Sequence, residues 1–271
     1  GALARLQSPF TVSPRARERD PALLRLLTLA ALHPLDRGTG PIRMITGLPV
    51  AWYADRERLA EALTGLQPAR IDGEFVVPEI AEVQVIPQPF GSFFRTLLTP
   101  AGVMTDADAL SWERVAVIDV GTHTTDYTLV DNLRYVEPQS TSIPVAMARV
   151  YELLQRDLAE SFDLELDLHG VEAAVRAGAV RVYGAQRSIA DRVDEIQGTV
   201  AQEILGEAAT LWGRGRDLDA VLVTGGGGPV FVDAIRRVYP HARLVDDPQM
   251  ANAEGFYRYA RRKFGASVPV V

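Results

Sequence analysis

The stretch Val115–Val130, V-A-V-I-D-V-G-T-H-T-T-D-Y-T-L-V, has residue types at a spacing that could do chemistry. An apolar run, Val115 to Ile118, leads into Asp119. Gly121, Thr122, His123, Thr124 and Thr125 follow, and Asp126 opens a second apolar run. Two strands joined by a tight loop fit this order. Such a loop can wrap a phosphate, because its backbone amides can point inward and its threonine hydroxyls donate hydrogen bonds. A carboxylate at the strand end can hold a hydrated Mg²⁺ beside that phosphate. An ordinary hairpin, whose Asp and Thr side chains merely satisfy the turn, fits the same residues equally well.

The rest of the chain must position that stretch. A-L-L-R-L-L-T-L-A-A-L reads as a helix with Asp20 as cap, Pro21 in its first turn and Pro34 as its stop. A strand over 42–46 and the turn G-L-P lead into a helix over 55–64, with Leu59 and Leu63 inward. Runs 74–77 and 82–86 read as short strands. Pro87-Gln88-Pro89 breaks the second, and F-G-S-F-F-R-T-L-L begins a helix whose Phe90, Phe93 and Phe94 belong to a core. After the hairpin, Asp131-Asn132 predicts a turn into a third strand, 133–136.

A helix is expected from Ser142 and Pro144 onward, with Met147, Val150, Tyr151, Leu154 and Leu158 at spacings of three and four. The alternating run D-L-E-L-D-L, 163–168, reads as a half-buried extended segment, and a carboxylate metal site is its rarer reading. The longest helix is predicted from Ile189 to Trp212, capped by Ser188 with Asp191 in the capping-box position. A buried strand (218–223), a helix (229–239), a short strand (243–245) and a helix (251–264) complete the order. Arg258, Arg261, Arg262 and Lys263 near the end of that last helix suit its dipole. The second half is thus an α/β domain opening on a meander, and the first half a less complete version of the same plan.

Composition excludes several classes. A length of 271 residues suggests roughly two domains, and 47% hydrophobic residues can build a sizeable core. Without cysteine there are no disulfides and no thiolate metal sites, which agrees with a cytoplasmic setting. No apolar run approaches the roughly 20 residues that span a bilayer, and G-A-L-A-R-L-Q-S-P-F has no signal-peptide core. A net charge of −7 argues against nonspecific nucleic-acid binding.

A second glycine-rich site, V-L-V-T-G-G-G-G-P-V-F (221–231), lies between a predicted strand and helix. Glycines there let a backbone approach a flat ring or a phosphate without Cβ clashes. The spacing is neither a Walker A loop nor a dinucleotide fingerprint. Taken with D-V-G-T-H-T-T-D, the pair resembles the actin / sugar-kinase / heat-shock chaperone ATPase superfamily, with its second phosphate loop followed by its adenosine motif. Within it the chain looks most like prokaryotic actin-like proteins of the plasmid-segregation (ParM/StbA) and archaeal-actin type. I-T-G-L-P-V (45–50), V-I-P-Q-P-F-G (85–91) and A-N-A-E-G-F-Y-R-Y (251–259) extend that resemblance over nearly the whole chain.

The resemblance implies an α/β, ribonuclease H-like two-domain ATPase fold. Residues 1–114 form an incomplete first domain, onto which a C-terminal helix, 248–271, packs back, and 115–247 form the second. It implies ATP and Mg²⁺ as cofactors. Asp119 coordinates Mg²⁺ through water and assists the attacking water, which Gln88 positions. Gly121, Thr122, His123, Thr124 and Thr125 contact the phosphates, and Gly225, Gly226 and Gly227 lie against the adenosine. Phosphoryl transfer asks for positioning and charge neutralisation, so one Asp, one Gln, hydroxyls and amides suffice. Arg181, Arg187 and Arg192 are further candidates for the base or ribose, with a surface role equally open.

The family's first phosphate loop, D-x-G-x-x-x-[TS]-K, has no match in the chain, and ATP hydrolysis is placed in doubt by its absence. The implied function is a nucleotide-dependent filament of identical subunits, reaching plasmid DNA through an adaptor protein rather than by direct contact, with no membrane. A small-molecule kinase of the same superfamily and a non-hydrolysing, nucleotide-dependent scaffold are the alternatives.

Overall fold

The computed structural model describes residues 21–33, 40–71, 73–105 and 113–265. The proposed cap Asp20 and stop Pro34 lie outside them. The described residues divide into two compact units. One holds the residues up to Met44 and Asp55–Val85, and the other Ile45–Ala54 and the residues from Ile86 onward.

In the smaller unit, α1 (Pro21–Leu32) precedes β1 (Ile42–Leu48), whose second half belongs to the larger unit. A 3₁₀ turn, Val50–Asp55, leads into α2 (Arg56–Leu63), which buries Leu59 and Leu63, four residues apart on one face. Strands β2 (Gly65–Leu66), β3 (Ala69–Ile71), β4 (Glu74–Val76) and β5 (Glu79–Pro87) follow. They make a three-stranded sheet in the order β1-β5-β2 and a separate β3–β4 hairpin. Gln67, 4% exposed, closes α2 by donating to the carbonyls of Leu63 (2.9 Å) and Thr64 (3.1 Å).

The larger unit continues with α3 (Phe90–Leu97), β6 (Arg114–Val120), β7 (Thr125–Asp131), β8 (Arg134–Tyr135) and β9 (Thr141–Ile143). Helices α4 (Met147–Phe162) and α5 (Leu168–Ala177) precede a hairpin of β10 (Ala179–Val182) and β11 (Ala185–Ser188). Then come α6 (Ala190–Trp212), β12 (Ala220–Thr224), α7 (Gly228–Val238), β13 (Ala242–Leu244) and α8 (Ala251–Phe264). Its sheet runs β13-β12-β6-β7-β8, with β9 also on β7. The first three strands are parallel, and β7 is antiparallel to β6.

Strand alternation divides this sheet between two cores. Ala116, Ile118, Val120, Tyr127 and Leu129 pack with Val150 of α4, Val200 and Ile204 of α6, and Phe231 and Ile235 of α7. Val115, Val117, Val130, Ala220 and Leu222 pack on the other face with Phe90, Phe93 and Leu97 of α3 and Ala251 of α8. Burial on both faces explains why β6 and β12 read as continuous apolar runs. The phenylalanines serve this second core, and Phe94 stacks on Tyr259 with ring centroids 4.2 Å apart. Helices α3 and α8 cross with their backbones touching: a Cβ on Gly255 would lie 1.6 Å from the Gly91 carbonyl oxygen. Among the described residues no helix is long and apolar enough to cross a membrane.

Two stretches differ from the sequence reading. The helix expected from Ser142 begins at Met147, because Thr141–Ile143 instead completes the sheet as β9, with Ser142 opposite Asp126. Residues 168–188, to which the sequence reading assigns no helix or strand, form α5 and the β10–β11 hairpin. Asp167 caps α5 by accepting from the Gly170 amide at 2.7 Å. The acids of the preceding segment are exposed and Leu164 and Leu166 partly buried. Among the described residues no group of three or more His, Asp or Glu could hold a metal ion. The expected Ser188 cap also shifts: the residue at the cap position of α6 is Ile189, without a side-chain cap bond.

Candidate functional site

Strands β6 and β12 lie side by side and parallel, with Asp119 opposite Thr224 at their carboxyl ends. In open α/β sheets the loops at that edge are where ligands gather. The β6–β7 loop is short: the Gly121 amide donates to the Thr124 carbonyl at 2.9 Å. Two of its carbonyls serve the start of α4, since Gly121 accepts from the Met147 amide (3.4 Å) and Thr122 from Ala148 (2.7 Å). The helix has no side-chain cap, so the loop itself satisfies these orphan amides and is held rigid by them.

Within the loop Thr122 is exposed, while His123 and Thr124 are partly buried. His123 Nδ1 is buried without a hydrogen-bond partner. Thr124 donates to Asp126 Oδ2 at 3.3 Å. Thr125 is fully buried and its hydroxyl donates to the Val145 carbonyl at 2.7 Å, so that side chain is engaged in the interior.

Asp119 is only 3% exposed. Its Oδ2 accepts from Asn252 Nδ2 at 2.7 Å and, at the longer distance of 3.4 Å, from Gln88 Nε2. Burial pushes its carboxyl up to about 6; the Asn252 hydrogen bond opposes that rise, the nearby charge of Asp126 adds to it, and Gln88 opposes it. Asp126, its cross-strand partner, is 2% exposed. Burial raises its carboxyl as well, against hydrogen bonds from the Ser142 hydroxyl, the Val50 amide (2.8 Å) and Thr124. Val50 and Ala51, whose amide donates to Ser142 Oγ at 2.9 Å, open the 3₁₀ turn, so this pair of side chains caps it from across the chain.

The glycine turn after β12 meets the same spot. Gly225 has φ +81°, and its amide donates to the Pro248 carbonyl at 3.0 Å. A Cβ there would lie 2.3 Å from the Val120 carbonyl oxygen and 2.4 Å from Asp119 Oδ1. Gly227 donates to the same Val120 carbonyl at 2.9 Å, and Gly226 is exposed with open space around it. Gln88 enters between β5 and α3; its amide donates to the Leu48 carbonyl (2.8 Å) and its carbonyl accepts from Gly91 (3.0 Å).

Asp119, Gln88, the Gly121–Thr124 loop and the Gly225–Gly227 turn are therefore neighbours. Arg192 is engaged elsewhere, ion-paired to Asp157 at 2.5 Å and lying over the Phe162 ring. Arg181 and Arg187 sit on the β10–β11 hairpin, Arg181 donating to the Gly184 carbonyl at 3.3 Å. Asn252 and Ser92 were missed by sequence reasoning. Asn252, second residue of α8, sits in the quoted A-N-A-E-G-F-Y-R-Y, where an Asn in a first helical turn reads as local capping chemistry.

The set fits a nucleotide with Mg²⁺. A desolvated carboxylate hydrogen-bonded to the neutral amides of Asn252 and Gln88 gains from a cation beside it. Mg²⁺ keeps several waters and uses one or two carboxylates plus phosphate oxygens, so Asp119, with Asp126 as its only cross-strand acid and no group of three among the described residues, suits it. The missing Cβ at Gly225 leaves the backbone flat against that carboxylate.

Known proteins share this fold. Residues 117–237 match the family model "Archaeal actin homologue MreB-like, C-terminal", and residues 1–91 match "Actin like proteins N terminal domain". A non-polymerisable quadruple mutant of pCBH ParM superposes with a TM-score of 0.76 at 20% identity, over 97% of this chain and 82% of that one. An archaeal actin homolog in complex with ADP gives 0.69 at 20% identity, covering 88% and 77%. A 15-stranded ParM filament from Clostridium botulinum gives 0.69 at 20% identity, covering 88% and 73%. No curated protein matches the chain in sequence. At such identities the superpositions establish an actin-like fold.

Proposed function

Because the chain belongs to the prokaryotic actin-like proteins, we propose that it binds ATP with Mg²⁺ at the carboxyl ends of β6 and β12, hydrolyses it, and assembles into filaments in the cytoplasm. The observation that carries this reading is the buried Asp119 carboxylate with the Gly225 turn on one side and the Gly121–Thr124 loop on the other. Mg²⁺ would neutralise the phosphate oxygens. Asp119 would hold the hydrated cation, Gln88 would orient the attacking water, and Gly121, Thr122, His123 and Thr124 would donate to the phosphates. The backbone at Gly225, Gly226 and Gly227 receives the adenosine.

The functional domains we propose are 1–114 with 248–271, and 115–247; the close packing of α3 on α8 ties those two helices to each other, while both also pack on the β6–β12 sheet face. The ADP complex and the filament among the similar structures support nucleotide-linked self-assembly. Nucleotide state then shifts the population between assembling and non-assembling conformations, and an adaptor protein links the polymer to plasmid DNA.

Light scattering and sedimentation with ATP, ADP or no nucleotide test the proposal. ATP with Mg²⁺ is expected to raise pelletable protein above a critical concentration. Gln88→Ala is expected to bind nucleotide normally and to release phosphate about 100-fold more slowly. Absence of both scattering and phosphate release in the wild type would overturn the filament and hydrolysis readings together.

A further inference from the structure

We propose that Asn252 is the positioning residue for Asp119, setting the orientation of its carboxylate for the divalent cation; the inference rests on the reading of Asp119 given above. An asparagine amide next to a carboxylate can present either its oxygen, which repels, or its NH₂, which binds. Here the choice is forced. The backbone N–H of Ser92, which can only donate, points at Asn252 Oδ1 at 3.0 Å, and the Ser92 hydroxyl donates to the same oxygen at 2.7 Å. The NH₂ is left to face Asp119 Oδ2 at 2.7 Å.

The support continues one residue further. Ser92 Oγ lies 2.7 Å from Thr224 Oγ1, and both residues are fully buried. With the Ser92 proton on Asn252, the single Thr224 hydroxyl proton is shared between Ser92 Oγ and the Pro248 carbonyl at 3.2 Å, and Thr224 backs Ser92 from the end of β12. The close crossing of α3 and α8 makes it reachable: a Cβ on Gly91 would sit 2.4 Å from the Asn252 carbonyl oxygen.

With Oδ2 held, Oδ1 remains beside the Gly225 turn. Gln88, at 3.4 Å, is too distant to fix the carboxylate by itself. Asn252 therefore stands to Asp119 as an outer-shell partner stands to a metal ligand, a relation whose loss costs roughly 10- to 100-fold in metal affinity.

Calorimetric titration of ADP, with and without Mg²⁺, reads the effect as the Mg²⁺-dependent gain in affinity and needs no turnover. Asn252→Ala is expected to lower that gain roughly 10-fold and leave Mg²⁺-free ADP binding unchanged. In an Asp119→Asn background it is expected to have no further effect, because it acts through that carboxylate. Ser92→Ala, which keeps the backbone N–H, should give a smaller loss in the same direction and serves if Asn252→Ala does not fold. Glu254→Gln, on the same helix as Asn252, breaks the 2.6 Å ion pair to Arg95 of α3 and should leave the gain intact. A full Mg²⁺ gain in Asp119→Asn overturns the reading of Asp119 itself. Loss in Asp119→Asn with a wild-type gain in Asn252→Ala, or with additive losses in the double variant, overturns the role of Asn252 alone.

Discussion

Asp119→Asn is expected to lose the Mg²⁺-dependent part of nucleotide affinity, by roughly 100-fold, and at the same time to be more stable than the wild type at neutral pH. The two effects have one cause. In the folded protein the Asp119 carboxyl is raised from 3.8 to about 6, chiefly by burial. The native state therefore holds this proton in a range where the unfolded chain has released it. Its contribution to stability is full below 3.8 and is lost as pH rises towards 6; above that the buried anion costs ~3 kcal/mol. An asparagine has no charge to desolvate and can still offer an oxygen to Asn252.

Urea melts of the nucleotide-free protein between pH 4 and 8 should thus show a steeper downward slope in the wild type than in the variant, which keeps only the slope due to the buried Asp126. Mg²⁺ with ADP should restore stability to the wild type alone. Parallel pH curves for the two proteins would remove the electrostatic argument. A strained or desolvated group kept at a cost to the fold is what a binding site is expected to contain.

The second large effect belongs to Gly225. Gly225→Ala is expected to destabilise the protein by more than about 3 kcal/mol and to abolish nucleotide binding. Two penalties add. The backbone there has φ +81°, where an L side chain is strained by about 1–2 kcal/mol. The new methyl group would also fall 2.3 Å from the Val120 carbonyl oxygen and 2.4 Å from Asp119 Oδ1. Val120 ends a strand buried on both faces, so its carbonyl cannot retreat, and the Asp119 side chain would be driven out of its hydrogen bonds.

Gly226→Ala is the matched control. That residue has open space for a Cβ, so its stability should stay within about 1 kcal/mol of wild type. Its affinity for nucleotide should still fall if the adenosine rests on this turn. Equal melting curves for Gly225→Ala and wild type would contradict the close packing of turn against strand.

The sequence by itself determined the parts whose physics is local. Two apolar runs around a polar turn specified the β6–β7 hairpin, and its pairing with the glycine turn after β12 carried the likeness to actin-like proteins. The long apolar stripe of α6 and the Leu59/Leu63 face of α2 follow from helical periodicity, which neighbouring residues decide among themselves.

Tertiary structure decided the partners. Ser142, which looked like the start of a helix, became an edge-strand residue because β7 offered it a ladder and Asp126 a hydrogen bond. Asp126, which opens an apolar run in the sequence, became a buried carboxyl capping the turn at Val50. Residues 168–188 folded into a helix and hairpin whose pattern is too short to stand out from a loop. Asn252 met Asp119 only because two glycines let α3 and α8 touch. The physical reason is common to Ser142, Asp126 and Asn252. Propensity and periodicity act over a few residues, whereas a buried polar side chain must find whatever partner the fold brings within 3 Å, wherever in the chain that partner lies.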